Sequence, residues 1–128
     1  MTTSTIEPRS PTGRVIYAAL AMLLLAAIAI EAITHSNYWQ IAVFGIGPDL
    51  ALLYGGGGDL AHGQINSRAV VAYNLVHRFW GPLALGAAAV AGIVPIGFLV
   101  GALTWTFHVA LDRALGYGLR APDGFQRP

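Results

Sequence analysis

VIYAALAMLLLAAIAIEAI, residues 15–33, holds a single charged side chain, Glu31, near its far end. A helix crosses the hydrocarbon core of a bilayer with about 20 apolar residues, so this stretch sets the expected fold class: helical and membrane-embedded. Arg9 and Arg14 precede it, and Ala27-Ile28-Ala29 resembles a signal-peptidase site. The run is nevertheless longer than the ~7 to 15 apolar residues of a signal peptide. It is therefore expected to be retained as a first span.

Composition extends that reading to the whole chain. Of 128 residues, 55% are hydrophobic and 10% charged, with a mean hydropathy of +0.61. A soluble domain has about 25% charged residues to cover its surface. The net charge of +1 leaves no basic footprint for nucleic acid. With no cysteine there is no disulfide, thiolate metal site or cysteine nucleophile. Any metal must be held by nitrogen and oxygen.

Three further apolar segments follow. Tyr38 to Tyr54, YWQIAVFGIGPDLALLY, is interrupted by Gly45, Gly47, Pro48 and Asp49, which predicts a kink just before the acid. Ala69 to Gly92 carries Tyr73, Asn74, His77 and Arg78, then Gly81 and Pro82. Pro95 to Gly116 closes the set, with Pro95 suited to a first helical turn and Gly116 and Gly118 to its end. The expected layout is a flexible tail over 1–13, a four-span all-α bundle over 14–120 with helices near 15–33, 38–54, 69–92 and 95–116, and a tail over 121–128. Gly55 to Gly58 with Asp59, His62 and Gly63 reads as a flexible connector; it lacks the Gly-Lys-Ser/Thr of a phosphate loop. Arginines cluster at both ends and at Arg68, so the positive-inside tendency places both termini and this loop in the cytoplasm of a multi-pass inner-membrane protein. His35 and His62 fall in turns, Glu31 anchors at an interface, and Trp39, Trp80 and Trp105 are read as packing or belt residues.

Depth then groups the polar residues. At about 1.5 Å per residue from the cytoplasmic ends, Asp112 lies roughly 6 Å in, Asp49 roughly 8 Å, His108 roughly 12 Å and His77 roughly 15 Å. His108 and Asp112 also share one helix face, four residues apart. Two imidazoles and two carboxylates suit zinc or a similar divalent ion, and a metal-bound water could hydrolyse a lipid-like or membrane-soluble substrate. Tyr73, Asn74 and Thr104 sit one turn from the histidines and are candidates to orient them. Arg113 is expected to snorkel to the headgroups, with Tyr117 beside it at the interface. Two other readings stay open: Asp49 and Asp112 pairing with Arg78 and the histidines in a network that only fixes helix packing, or a haem between His77 and His108.

GPDLALLY, AYNLVH and HVALDRALGYGLRAPDGF together resemble the uncharacterised bacterial membrane family known as domain of unknown function 4260, over roughly Val15 to Phe125. The resemblance implies a short four-helix membrane protein in which Pro48-Asp49, Tyr73-Asn74, His77, His108, Asp112-Arg113 and Gly116-Tyr117-Gly118 match the family pattern. It implies no reaction. Gly55 to Gly58 departs from that pattern. The Pro-Asp and His-x-x-x-Asp pairs are more loosely similar to small inner-membrane metal-dependent hydrolases.

Overall fold

The computed structural model describes residues 10–127, which leaves most of the N-terminal tail outside the described residues. The described chain is all-helical, with no strand and only an isolated bridge between Arg120 and Gln126. Helix α1, Pro11–His35, starts at Ser10, whose Oγ accepts the Gly13 N–H at 3.1 Å, and has Pro11 in its first turn. It stops at Ser36, which takes a left-handed conformation (φ 49°). Only Ala21, Ile28 and Ala32 are buried on this helix. These residues, seven and four apart, form one narrow stripe, and two of the three are alanines that allow close approach to a neighbour.

That neighbour is α6, Phe98–Leu115, the central helix, which packs on α1, on α2 (Trp39–Ile46) and on α5 (Trp80–Val90). Helices α1 and α6 run antiparallel: Arg14 Nε donates to the Ala114 carbonyl at 2.8 Å, and Asn37 lies against Gly97 at the other end. Small residues let the neighbours in. A Cβ on Gly101 would collide with Gln40 and Phe44, and one on Gly81 would run into the Trp105 ring. Gln40 is fully buried, and its Oε1 accepts the Gly101 N–H at 2.8 Å. It thereby satisfies one of the donors that the first turn of α6 leaves open.

Two of the four apolar segments are broken. After α2 the chain tightens into a 3-10 turn at Gly47–Asp49 and resumes as α3, Leu50–Tyr54, so the break foreseen at Pro48 puts Asp49 at its end. The segment read as one span over 69–92 is instead a 3-10 turn at Ser67–Ala69, α4 at Val70–Val76, a turn through 77–79, and α5. Pro82 explains the interruption. It cannot donate to the carbonyl of residue 78, and its ring would clash there in a continuous helix. It is tolerated in the first turn of α5, where no intrahelical donor is required.

Helix α6 supplies partners for the exposed backbone at these breaks. Trp105 Nε1 donates to the Val76 carbonyl at 2.7 Å, Arg113 donates to the His77 carbonyl at 2.8 Å, and His108 Nδ1 meets the Gly45 carbonyl at 2.8 Å. Trp105→Phe keeps an aromatic but smaller ring and deletes the indole donor. It is expected to destabilise the fold by about 1 kcal/mol, read as a lowered unfolding midpoint with helix content unchanged.

At one end the chain is pinned to itself. Asn74 exchanges two hydrogen bonds with the Arg120 backbone (2.9 and 2.7 Å), Arg120 donates to the Gly63 and Gly124 carbonyls, and Ile65 N–H reaches Gly124 O at 3.0 Å. Residues 118–127, read from sequence as largely a tail, thus form a strap over the 55–69 loop. Gly124 has φ 91° and no space for a Cβ against the Ile65 carbonyl.

Candidate metal centre

The two breaks and the central helix deliver four side chains to one point. Asp49 arrives at the end of the first break, His77 at the start of the second, and His108 and Asp112 one turn apart on α6. One ligand atom from each of the four lies within 4.8 Å of the others. Approach from solvent is one-sided. The side chains of His77, His108 and Asp112 are 0%, 10% and 20% exposed, whereas Asp49 is 47% exposed.

Backbone carbonyls fix the imidazoles. His77 Nδ1 lies 2.8 Å from the Tyr73 carbonyl, and His108 Nδ1 lies 2.8 Å from the Gly45 carbonyl. A carbonyl can only accept, so each Nδ1 carries the proton, and in the neutral ring Nε2 presents a lone pair. Both Nε2 atoms point at the carboxylates, which also only accept when ionised. The separations are 3.3 Å (His77–Asp49), 3.5 Å (His77–Asp112), 3.2 Å (His108–Asp49) and 3.6 Å (His108–Asp112). Only the first has hydrogen-bond geometry, and His108 Nε2 is fully buried with no hydrogen-bond partner. Four lone-pair donors facing one point repel unless a positive charge lies among them.

Size agrees with a small ion. Metal–ligand distances of about 2.0 to 2.2 Å in a tetrahedral site place the ligand atoms about 3.3 to 3.6 Å apart. The four nitrogen–oxygen separations, 3.2 to 3.6 Å, fall almost entirely in that interval.

The neighbouring residues differ in part from the sequence expectations. Tyr73 does support His77, through its carbonyl and by stacking its ring at 3.9 Å between centroids. Asn74 holds the Arg120 backbone instead of a histidine. Thr104 is buried one turn from His108, but its hydroxyl has no hydrogen-bond partner. Arg113 does not snorkel. It is buried, donating to the His77 carbonyl at 2.8 Å and to the Tyr117 carbonyl at 3.4 Å, because the broken α4 leaves a carbonyl within its reach. Tyr117 itself is exposed.

Two of the alternative arrangements meet obstacles. Among the described residues Arg78 forms no ion pair with Asp49 or Asp112; its side chain leaves the second break on the outer surface. Haem fits poorly between His77 and His108, because carboxylate oxygens within 3.6 Å of both Nε2 atoms fill the space that a macrocycle needs. Nothing in the residue pattern pointed directly to the carbonyls of Gly45 and Tyr73, since any residue has one. Pro48 and Pro82 were the indirect signal, as breakers that leave backbone open.

Next to the centre lies an apolar cleft of about 190 Å³, lined by Val43, Phe44, Gly47, Pro48, Val76 and Trp105. Pro48 and Val76 are chain neighbours of Asp49 and His77. A family model described as a domain of unknown function, DUF4260, matches residues 15–128. No curated protein and no solved structure matches the chain.

Proposed function

We propose, from the premise that the chain belongs to the DUF4260 family, that it is a multi-pass membrane protein that binds one divalent metal ion, zinc or similar, through Asp49, His77, His108 and Asp112. The observation that carries this reading is the buried Nε2 of His108. It faces two carboxylates, yet none is aligned to accept a proton from it. A cation uses that lone pair; an imidazolium N–H would be left without an acceptor.

The membrane part rests on α1. It is long and apolar enough to span, and little of it is buried in the protein. The core helix of a soluble protein would be mostly covered. Leu23, Ile33, Val71, Leu75, Trp80, Val90 and Ile93 are each more than 60% exposed, which suits a lipid-facing surface. Helix α1 is also tied to α6 through Arg14, which speaks for a retained helix rather than a cleaved leader.

Exposure separates Asp49 from the other three residues. Three ligands are enclosed and Asp49 faces outward, so Asp49 is the one able to yield its position to water and then accept that water's proton. A metal held there would supply activation of a water for hydrolysis of an ester, and the adjoining cleft would take the apolar portion of an amphiphilic substrate.

Cobalt titration tests the metal. Purified protein stripped of metal should take up one Co²⁺ per chain and develop the visible bands of a four-coordinate ion, whereas Asp112→Asn should not. A metal-free protein whose His and Asp variants merely unfold at lower temperature would establish the packing network instead. With zinc restored, hydrolysis of nitrophenyl esters by Asp49→Asn should fall about 100-fold or more, while metal content falls far less. Equal rates would remove Asp49 from the chemistry.

A further inference from the structure

A second polar site lies outside the metal centre, where the break between α4 and α5 meets α1 and the end of α6. Tyr17, Arg78, Phe79, Trp80, Leu83, Arg113 and Leu119 line a cavity of about 440 Å³ there. Two guanidinium groups therefore border one space, and among the described residues no acid lines it.

Arg78 needs an explanation. It is exposed, and among the described residues it makes no hydrogen bond or ion pair. Its surroundings are apolar: Leu75, Trp80 and Leu83 are 68%, 78% and 58% exposed. A cation on a largely apolar exterior is costly unless an anion comes to it. The opposite wall is firmer. Arg113 is buried and held by the His77 and Tyr117 carbonyls, and Tyr17 stacks on Phe79 with ring centroids 6.2 Å apart.

We propose that this cavity binds the phosphate of an anionic phospholipid, with Arg78 on the phosphate oxygens, Arg113 adding positive charge from the wall, and the acyl chains running over Trp80 and Leu83. Arginine forks match phosphate geometry, and basic pockets between membrane helices hold acidic headgroups. The flanking exposed apolar side chains favour a lipid over free phosphate, which would leave them uncovered. This assignment rests on the membrane reading but is independent of the metal. It also adds a physical link between the two sites: the Arg113 that borders the phosphate holds the carbonyl of His77.

Native mass spectrometry of the full chain in micelles, with equimolar phosphatidylglycerol and phosphatidylcholine, tests the proposal. Wild type should retain phosphatidylglycerol in preference by about tenfold, and Arg78→Gln should bring the two lipids to parity. Arg78→Lys, which keeps the charge and loses the fork, should fall between them. The circular dichroism spectrum should be unchanged in both variants, which shows that they are folded. Equal retention of both lipids by wild type, or a preference that survives Arg78→Gln, would overturn the site. Displacement of phosphatidylglycerol by millimolar inorganic phosphate would overturn the lipid assignment in favour of a simple anion site.

Discussion

His108→Ala is expected to reduce bound zinc from about one equivalent per chain to background, and to do so without loss of helix content. The reasoning is local. Removing the imidazole deletes one ligand and breaks the contact with the Gly45 carbonyl that positions the adjacent turn. The remaining His77, Asp49 and Asp112 keep their own supports, so the loss of metal should far exceed the loss of fold. His77→Ala should empty the site equally but cost more stability. Its side chain is fully enclosed, and it both stacks on Tyr73 and meets the Tyr73 carbonyl. Elemental analysis beside circular dichroism separates the two effects. Full zinc occupancy in His108→Ala would exclude the centre described above.

Gly101→Val is expected to produce the largest structural damage of any single substitution considered. A Cβ at 101 already falls within 2.6 Å of Phe44 carbons and on top of Gln40 Oε1. Valine therefore forces α2 away from α6. Overpacking alone costs about 1 to 3 kcal/mol. Displacing the Gln40 amide adds the loss of its bond to the residue 101 N–H, in a place where both groups are buried. The displacement also shifts Gly45, which packs against Thr104 and carries the carbonyl bound by His108. The expected result is a protein recovered mostly as aggregate, with the folded remainder low in metal. Gly101→Ala, the smaller insult, should fold at a reduced midpoint. Normal yield and stability for Gly101→Val would mean that the α2–α6 contact is not held as closely as described.

The helical class was legible because the apolar runs are long and the chain is poor in charge, and the grouping of Asp49, His77, His108 and Asp112 was legible because all four fall in the same half of their apolar segments. His108 and Asp112 needed only their four-residue spacing. Two features were harder to read. The segment over 69–92 is uniformly apolar apart from Tyr73, Asn74, His77 and Arg78, so hydropathy merged α4 and α5 into one run. Pro82 was the breaker, and in a first turn or in mid-helix the same residue has opposite consequences. Arg113 was read from its position near a helix end, where snorkelling is the ordinary outcome. Its actual partner, the His77 carbonyl, exists only because the chain turns at 77–79, a fact of tertiary structure.

The repair of both breaks by α6 also has a consequence in time. Ribosomes deliver Pro48, His77 and Pro82 before Trp105, His108 and Arg113, so the carbonyls of Gly45, Val76 and His77 wait for donors that arrive last. Among the described residues, the side chains that reach those carbonyls all belong to α6. The protein is therefore built to commit late: its final helix is the keystone, and a nascent chain halted short of residue 105 has its arches standing without it.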